Sequence, residues 1–235
     1  MTGLALTPRD QAILRAAWSL GYAPAYALRS LTSPETAPGT FRNRISRLHR
    51  AHLLVLVKFV APAGGLWLYG VGRAALLPGD AAPWRPGLAQ VEHTLAVADA
   101  VVHLQRPGFA TPLRVSAWQG EAELRAWAPP GAPFPDARLE WYGPAGPGVW
   151  LLELDRATES RAAWRRKLAR YLATPSDELV LAVTTSPARA KNLAVLAADM
   201  GAPVLATTAG AVRDELDPAV YDARDRRRRP LSTCR

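Results

Sequence analysis

The chain has 235 residues, which is enough for one large or two small domains, each with its own hydrophobic core. Its net charge of +9 and its pI of about 10.4 favour a polyanionic partner. The single cysteine, Cys234, excludes an internal disulfide framework and a cysteine-rich zinc site. The N-terminus lacks the pattern of a secretory signal, and no apolar run reaches the ~18–20 residues that span a bilayer. We therefore expect a cytoplasmic protein with no membrane partner.

The positive charge is concentrated at the two ends of the chain. Of the 29 basic residues, 26 are arginine, a bias typical of a GC-rich genome and therefore no evidence of DNA binding by itself. Residues 1–60 nevertheless carry a net charge of +6 and residues 222–235 carry +4, whereas residues 61–221 carry −1. Compositional bias alone does not segregate charge in this way, so both ends are candidates for contact with nucleic acid.

The first 77 residues predict three helices followed by a β-hairpin. Thr7 caps the first helix, with Pro8 at its first position. Apolar residues at helical spacing then predict helices near 8–20, 25–31 and 40–53. Two β-like runs, 54–60 and 66–71, follow, joined by a Pro/Gly turn. This order is typical of a winged helix-turn-helix domain, so we assign residues 1–77 to a winged-helix DNA-binding domain.

The third helix has one apolar face and one basic face. Phe41, Ile45 and Leu48 share the apolar face. In a winged helix the third helix enters the DNA major groove, where Asn and Arg reach base edges and phosphates. The alternative is a helical domain with a solvated arginine face, and the hairpin could equally mediate dimerisation. The candidate contacts to double-stranded DNA are Arg42, Asn43, Arg44, Ser46, Arg47 and Arg50.

Residues 78–113 are expected to be a linker and a connecting helix. The Pro/Gly-rich stretch 78–86 marks a domain boundary. Gln90 to Leu104 predicts a helix that is apolar over most of its circumference, which indicates burial between domains or across the interface of a homodimer. His93 lies on this helix, and a lone helical histidine is more often a packed residue than a ligand.

Residues 114–206 alternate between helical and β-strand patterns. The pattern predicts an α/β sandwich with a mixed sheet. The predicted elements are a helix over 116–128, strands over 137–142 and 149–154, a helix over 161–172, a strand over 178–184, a helix over 187–199 and a strand over 204–207.

Three carboxylates are expected to converge on this sheet. Glu153 and Asp155 lie two residues apart on one strand and therefore share a face, and Asp136 lies at the edge of the neighbouring strand. Grouped carboxylates beside an apolar sheet are costly unless a cation such as Mg²⁺ or Mn²⁺ offsets their charge. These three residues are the predicted metal ligands, the alternative being a structural cluster.

Residues 207–235 are expected to form a basic C-terminal tail. Four consecutive arginines end the run from Asp225 to Arg229. Such a tail is either solvated and disordered or an electrostatic arm on nucleic acid, and the sequence favours neither.

The core sequence also resembles known families. Pro135-Asp136, a hairpin and then Glu153-x-Asp155 resembles the PD-(D/E)xK nuclease-like fold. Over roughly residues 6–205 the sequence resembles the replication-relaxation family of plasmids and other mobile elements. The resembling segments are 6–10, 93–99, 118–125, 135–136, 152–160, 167–171 and 183–193.

The resemblance implies a catalytic set, but with one departure. Asp136, Glu153 and Asp155 would hold a metal, and Glu121 matches a helix carboxylate of related nucleases. The lysine expected two residues after the glutamate is replaced by Asp155, which cannot neutralise an oxyanion, so Lys167 is the candidate substitute.

Three functions are compatible with these patterns. We expect a DNA-binding protein of a mobile element that acts in replication or relaxation through its winged helix, with a nuclease-like core that has lapsed catalytically. The first alternative is a Mg²⁺-dependent endonuclease or nickase, and a weaker one is a transcriptional repressor. Apart from a metal ion, none of them needs a small-molecule cofactor.

Overall fold

The computed structural model describes seven stretches of the chain. They form two compact units, one of residues 1–102 with 120–126 and the other of residues 103–119 with 127–235. This division departs from the predicted boundaries, because a short segment after residue 119 belongs to the first unit. The predicted linker 78–86 lies outside the described residues. The described stretches are 5–61, 64–72, 88–110, 112–127, 133–144, 146–174 and 176–234.

The first unit combines helices with a three-stranded antiparallel sheet of order β1-β3-β2. Residues 62 and 63 of the predicted turn between β2 and β3 lie outside the described residues. The elements are α1 (Pro8–Ser19), β1 (Ala23–Pro24), α2 (Ala25–Thr32), α3 (Pro38–Arg50), β2 (Leu54–Ala61), β3 (Gly64–Val71), most of α4 (Leu88–Leu104) and α5 (Glu121–Trp127).

The predicted cap and apolar faces of this unit are confirmed. The Thr7 side chain accepts from the backbone N–H of Asp10, and the Asp10 side chain accepts from the backbone N–H of Thr7, which together form a capping box. Phe41, Ile45 and Leu48 are buried along α3, as their spacing predicts. The helices are therefore held by a core that their periodicity encodes.

Much of the apolar surface of α4 is covered by its own chain. Val91 packs in a cluster with Tyr22 and Leu68, and Ala98 and Val101 are also buried. The sequence predicted burial either between domains or in a dimer interface. Because packing within one chain already buries these side chains, α4 by itself does not require a second copy of the protein.

The second unit is built on a seven-stranded mixed sheet of order β10-β9-β8-β7-β6-β5-β4. Strands β6, β7 and β8 are parallel, whereas β5 and β9 pair antiparallel to their neighbours β6 and β8. The elements are β4 (Arg114–Gly120), β5 (Ala137–Gly143), β6 (Gly146–Asp155), α6 (Arg161–Ala173), β7 (Leu179–Thr184), α7 (Pro187–Met200), β8 (Val204–Thr208), α8 (Ala209–Asp214), β9 (Ala219–Asp222), β10 (Arg227–Pro230) and a 3₁₀ turn (Leu231–Thr233).

One layer of core lies between this sheet and helices α6 and α7. Trp164 and Leu168 of α6 and Leu193 of α7 pack against strand residues such as Leu151 and Val180. All six residues of β7 are buried, which explains its continuous apolar run. The predicted mixed sheet with helices packed on it is therefore confirmed for this unit.

The structure corrects two of the predicted elements. The segment 116–128, predicted as one helix, is divided between strand β4 and the short helix α5. The predicted basic tail contains strands β9 and β10, which pair antiparallel, with Arg228 opposite Tyr221. Leu231 and Cys234 are fully buried. The arginine run is thus part of a hairpin at one edge of the sheet.

The described residues include no helix long and apolar enough to cross a membrane.

Candidate functional site

The outer face of α3 is polar, basic and open to solvent. Phe41, Ile45 and Leu48 point inward. Thr40 and His49 are exposed on the remaining surface, and so are five of the predicted DNA contacts: Arg42, Asn43, Ser46, Arg47 and Arg50. The helix contains no acidic residue to offset its arginines. This surface can donate many hydrogen bonds to a polyanion.

Arg44 differs from its neighbours, because it forms an internal ion pair. Its Nε lies 2.7 Å from Oδ1 of Asp10, and its Nη2 lies 3.0 Å from Oδ2. Asp10 is 0% exposed. Burial raises the pKa of Asp10, but hydrogen bonds from Thr7 and Arg44 outweigh it and hold that pKa below its ordinary value. Arg44 therefore joins α3 to the start of α1, and this role differs from the predicted DNA contact.

Arg47 is intermediate between these two situations. Its Nη2 lies 3.7 Å from Oδ2 of Asp10, while about half of its side chain is exposed. It can contribute positive charge to the surface, but it shares that charge with a buried carboxylate. Arg42, Asn43 and Arg50 are consequently the strongest candidates for contact with an external ligand.

On the sheet, Glu153 is the centre of a buried polar network. Lys167 Nζ donates to Glu153 Oε2 over 2.8 Å, and the Tyr171 hydroxyl donates to Oε1. Lys167 also reaches Glu159 Oε1 over 2.8 Å. Strand β6 supplies the glutamate, and α6 supplies Lys167 and Tyr171, which are four residues apart and so share a face. Lys167, the candidate substitute for the missing lysine, therefore contacts the predicted catalytic glutamate.

This environment alters three pKa values. Burial, together with the charge of Asp136, raises the pKa of Glu153 from 4.5 to about 7, although Lys167 and Tyr171 act in the opposite direction. Burial lowers the pKa of Lys167, but Glu153 and Glu159 more than compensate and raise it above its ordinary value. Burial and Glu153 also raise the pKa of Tyr171. Glu153 thus changes charge near neutral pH.

The other two predicted metal ligands have separate partners. Asp155 Oδ2 accepts from Arg189 Nε, and its Oδ1 accepts from the backbone N–H of Ala157. Asp136 Oδ2 accepts from the backbone N–H of Leu154 over 2.7 Å. In the described part of the chain, no group of three or more His, Cys, Asp or Glu side chains is arranged to hold a metal ion. Each of the three carboxylates thus accepts hydrogen bonds from the protein itself, and the Mg²⁺ or Mn²⁺ site stays a prediction.

The remaining carboxylate of the predicted catalytic set, Glu121, lies in the first unit. It forms an ion pair with Arg125 one helical turn away, at 2.5 Å. Its neighbour Glu123 is buried and accepts from Arg15 at 2.9 Å and from Ser19 at 2.8 Å. His93, which the sequence favours as a packed residue over a ligand, lies half-buried on α4.

The sequence did not indicate two partners of these carboxylates: Tyr171, which donates to Glu153, and Arg189, which donates to Asp155. The spacing of Lys167 and Tyr171 could have placed the hydroxyl beside the lysine. No comparable signal exists for Arg189, because 34 residues separate it from Asp155.

These features define a mixed α+β protein with an exposed basic helix in one unit and a buried acid–lysine–tyrosine network in the other. Residues 25–178 match the replication-relaxation family, and the chain belongs to that family. No curated protein and no solved structure matches the chain. Membership of the family suggests a role in the replication or relaxation of a plasmid or other mobile element.

Proposed function

We propose that this chain is a DNA-binding protein of a plasmid or other mobile element, and that it acts in replication or relaxation by placing α3 in the major groove. The observation that carries this proposal is the exposed Arg/Asn face of α3. Asparagine and arginine are the side chains best suited to reading adenine and guanine edges, and arginine also binds phosphates.

The arrangement around α3 supports a winged-helix assignment. The elements follow the order α1-β1-α2-α3-β2-β3, and the short strand β1 pairs with β3 rather than with β2. In a winged helix the third helix is the recognition helix, and the β2–β3 hairpin is the wing. The ion pair between Arg44 and Asp10 joins α3 to α1. We expect this contact to hold the exposed face of α3 in a fixed orientation.

A triple variant of α3 tests the proposal. Arg42→Ala/Asn43→Ala/Arg50→Ala removes two charges and one amide from the exposed face, so we expect its affinity for double-stranded DNA to fall at least about tenfold. The salt dependence of binding should fall by about one unit for each lost phosphate contact. Fluorescence anisotropy with labelled duplex at several salt concentrations measures both quantities.

The matched control is Arg165→Ala/Arg166→Ala on α6. It also removes two exposed arginines, and it leaves α3 intact. A loss of affinity in the control equal to that in the triple variant would mean that binding depends on total charge alone. Unchanged binding isotherms for the triple variant would eliminate α3 as the DNA contact.

For the second unit, we infer a PD-(D/E)xK-like core that has lost catalysis. Asp136, Glu153 and Lys167 are near one another, which supports descent from a nuclease site. Asp155 occupies the position of the usual lysine and is neutralised by Arg189. Lys167 and Tyr171 already bind Glu153 and would compete with a metal for its oxygens. The core would then serve as a scaffold for DNA binding.

The alternative is a Mg²⁺-dependent endonuclease or nickase. The contact between Lys167 and Glu153 favours it, because a lysine supplied by a helix can stabilise the phosphorane-like transition state. A nicking assay on supercoiled plasmid with Mg²⁺ or Mn²⁺ separates the two functions, with Asp136→Asn as the control. Metal-dependent nicking that Asp136→Asn abolishes would establish the nuclease, whereas we expect none.

The weaker alternative, a transcriptional repressor, shares the α3 contact but makes no use of the second unit. A fragment lacking that unit would then repress a promoter as well as the full chain does. No observation on the second unit favours this function.

A further inference from the structure

Helices α6 and α7 enclose a cleft that the proposed DNA contact does not use. Its volume is about 300 Å³, which lies at the lower end of the range for small-ligand sites. The polar side chains that line it are Arg161 and Trp164 of α6 and Arg189 and Asn192 of α7. Aliphatic residues of α7 complete the wall.

Trp164 of α6 belongs to the wall of this cleft. Its side chain is 1% exposed, and its buried Nε1 has no hydrogen-bond partner among the described residues. Because Nε1 has almost no accessible surface, we use the indole as a nearby reporter of what enters the cleft and not as a donor to the ligand.

The two arginines add positive charge to the same cleft. Arg189 is oriented by Asp155 and by the carbonyl of Glu159, which engage its Nε and Nη2. Within the described part of the chain its Nη1 makes no hydrogen bond. Arg161 is exposed, and among the described residues no carboxylate lies within ion-pair distance of it. One guanidinium is thus fixed in place, and the other is exposed to solvent.

The electrostatic environment of α6 also favours an anion. The helix carries five basic residues and no acidic one. Arg161 occupies its first position, where a cation is repelled by the positive end of the helix dipole. Bound negative charge would relieve this repulsion, and Asn192 adds amide donors from the facing helix.

We propose that this cleft binds a phosphate group. Guanidinium and amide donors match the several acceptor oxygens of phosphate, and a single carboxylate would leave some of them unpaired. The phosphate could belong to a DNA backbone or to a small molecule, because both present the same chemistry. This proposal does not depend on α3, so it can be tested separately from the proposed DNA contact.

Indole N–H signals from the ¹⁵N-labelled full chain provide the test. The Trp164 signal is assigned by comparison with Trp164→Phe, because the chain has eight tryptophans. We expect inorganic phosphate, titrated at constant ionic strength against chloride, to shift the Trp164 signal saturably. Arg161→Ala and Asn192→Leu should each weaken binding about tenfold, as expected for loss of one strong hydrogen bond.

The control Arg166→Ala removes one exposed arginine from the same helix but does not line the cleft. It should leave phosphate binding nearly unchanged, and a loss equal to that of Arg161→Ala would overturn the proposal in favour of diffuse charge. A Trp164 signal that phosphate does not move would also overturn it.

Two further titrations distinguish the sources of the phosphate. In the α3 triple variant, a short oligonucleotide that shifts the Trp164 signal identifies a DNA phosphodiester as the ligand. If inorganic phosphate shifts the signal and the oligonucleotide does not, the ligand is a small phosphate compound. Either result supports the phosphate site and can be obtained even if α3 does not bind DNA.

Discussion

Two arginines on α3 have different roles because their environments differ. Arg42 is exposed and available to an external partner, whereas Arg44, two residues later, is held by Asp10. Asp10 in turn belongs to the capping box of α1, so one carboxylate supports both a helix terminus and the orientation of α3. The sequence showed six candidate contacts on α3 but could not single out Arg44, because its partner is 34 residues away.

Arg44→Ala should destabilise the first unit and should not act as a simple binding variant. It leaves the buried Asp10 carboxylate with only the more distant Arg47 as a cation, and breaking a buried ion pair typically costs about 3 kcal/mol. Urea unfolding of the full chain, followed by circular dichroism, measures the change. Arg42→Ala is the matched control and should leave the transition unchanged. A normal transition for Arg44→Ala would show that its ion pair with Asp10 is dispensable.

The pKa of Glu153 makes stability depend on pH. The folded protein holds this proton more tightly than the unfolded chain, since the pKa rises from 4.5 to about 7. The resulting stabilisation is complete below pH 4.5 and is lost as the pH rises through about 7. Within that window the loss is at most about 1.4 kcal/mol per pH unit.

Glu153→Gln mimics the protonated side chain and should remove this contribution. We expect the free energy of unfolding of the variant to depend less on pH between 4.5 and 7 than that of the original protein. Chemical unfolding at a series of pH values provides the comparison. Parallel curves would show that Glu153 titrates normally in the folded state.

At the scale of elements, the sequence predicted the helices and strands that are encoded by a local pattern of apolar and capping residues. The helices α1, α3, α6 and α7 follow from apolar spacing and caps, and β7 follows from its continuous apolar run. Strand β4 was missed because most of its residues are exposed or half-exposed, so it has no clear alternation. The β9–β10 hairpin was missed because an arginine run has no strand propensity of its own, and pairing with β8 and an ion pair to Asp222 hold it in place.

Deletion of residues 218–235 should therefore destabilise the second unit. It removes the strand beside β8 together with Val220, Leu231 and Cys234, all fully buried. The loss should be at least about 3 kcal/mol, since each large buried apolar side chain contributes about 1.5–3 kcal/mol. Thermal unfolding measures it.

The control for this deletion is Arg227→Gln/Arg228→Gln, which lowers the charge but keeps the hairpin backbone. It should unfold at nearly the original temperature. If the deletion also unfolds at that temperature, the arginine run behaves as the tail that the sequence predicted.

At the scale of the whole molecule, the sequence predicted the class of fold and named Lys167 as a candidate partner of the site, but it did not predict the protein groups that each of the three carboxylates contacts. Shared strand faces are a property of local geometry. Which group each carboxylate contacts depends on the packing of segments that are distant in the sequence, such as α7, which supplies Arg189 to Asp155. The spacing of apolar residues in the sequence therefore does not reveal which group each carboxylate contacts.

A homodimer remains a proposal at this scale. Packing within one chain covers α4, so the argument now rests on the paired half-sites that winged helices commonly read. Light scattering at micromolar concentration should give twice the chain mass of 25.4 kDa, at least when duplex with two half-sites is present. A mass of one chain under both conditions would contradict it.

The return of residues 120–126 to the first unit has a consequence for biosynthesis. Glu123 meets Arg15 and Ser19, and the Gly120 N–H donates to Ser19 Oγ, so the first unit is complete only after this segment has left the ribosome. By then β4 has also emerged, whereas its neighbour β5 is still inside the exit tunnel. The nascent chain therefore passes through a stage in which an unpaired strand is exposed, when chaperones or aggregation compete with folding.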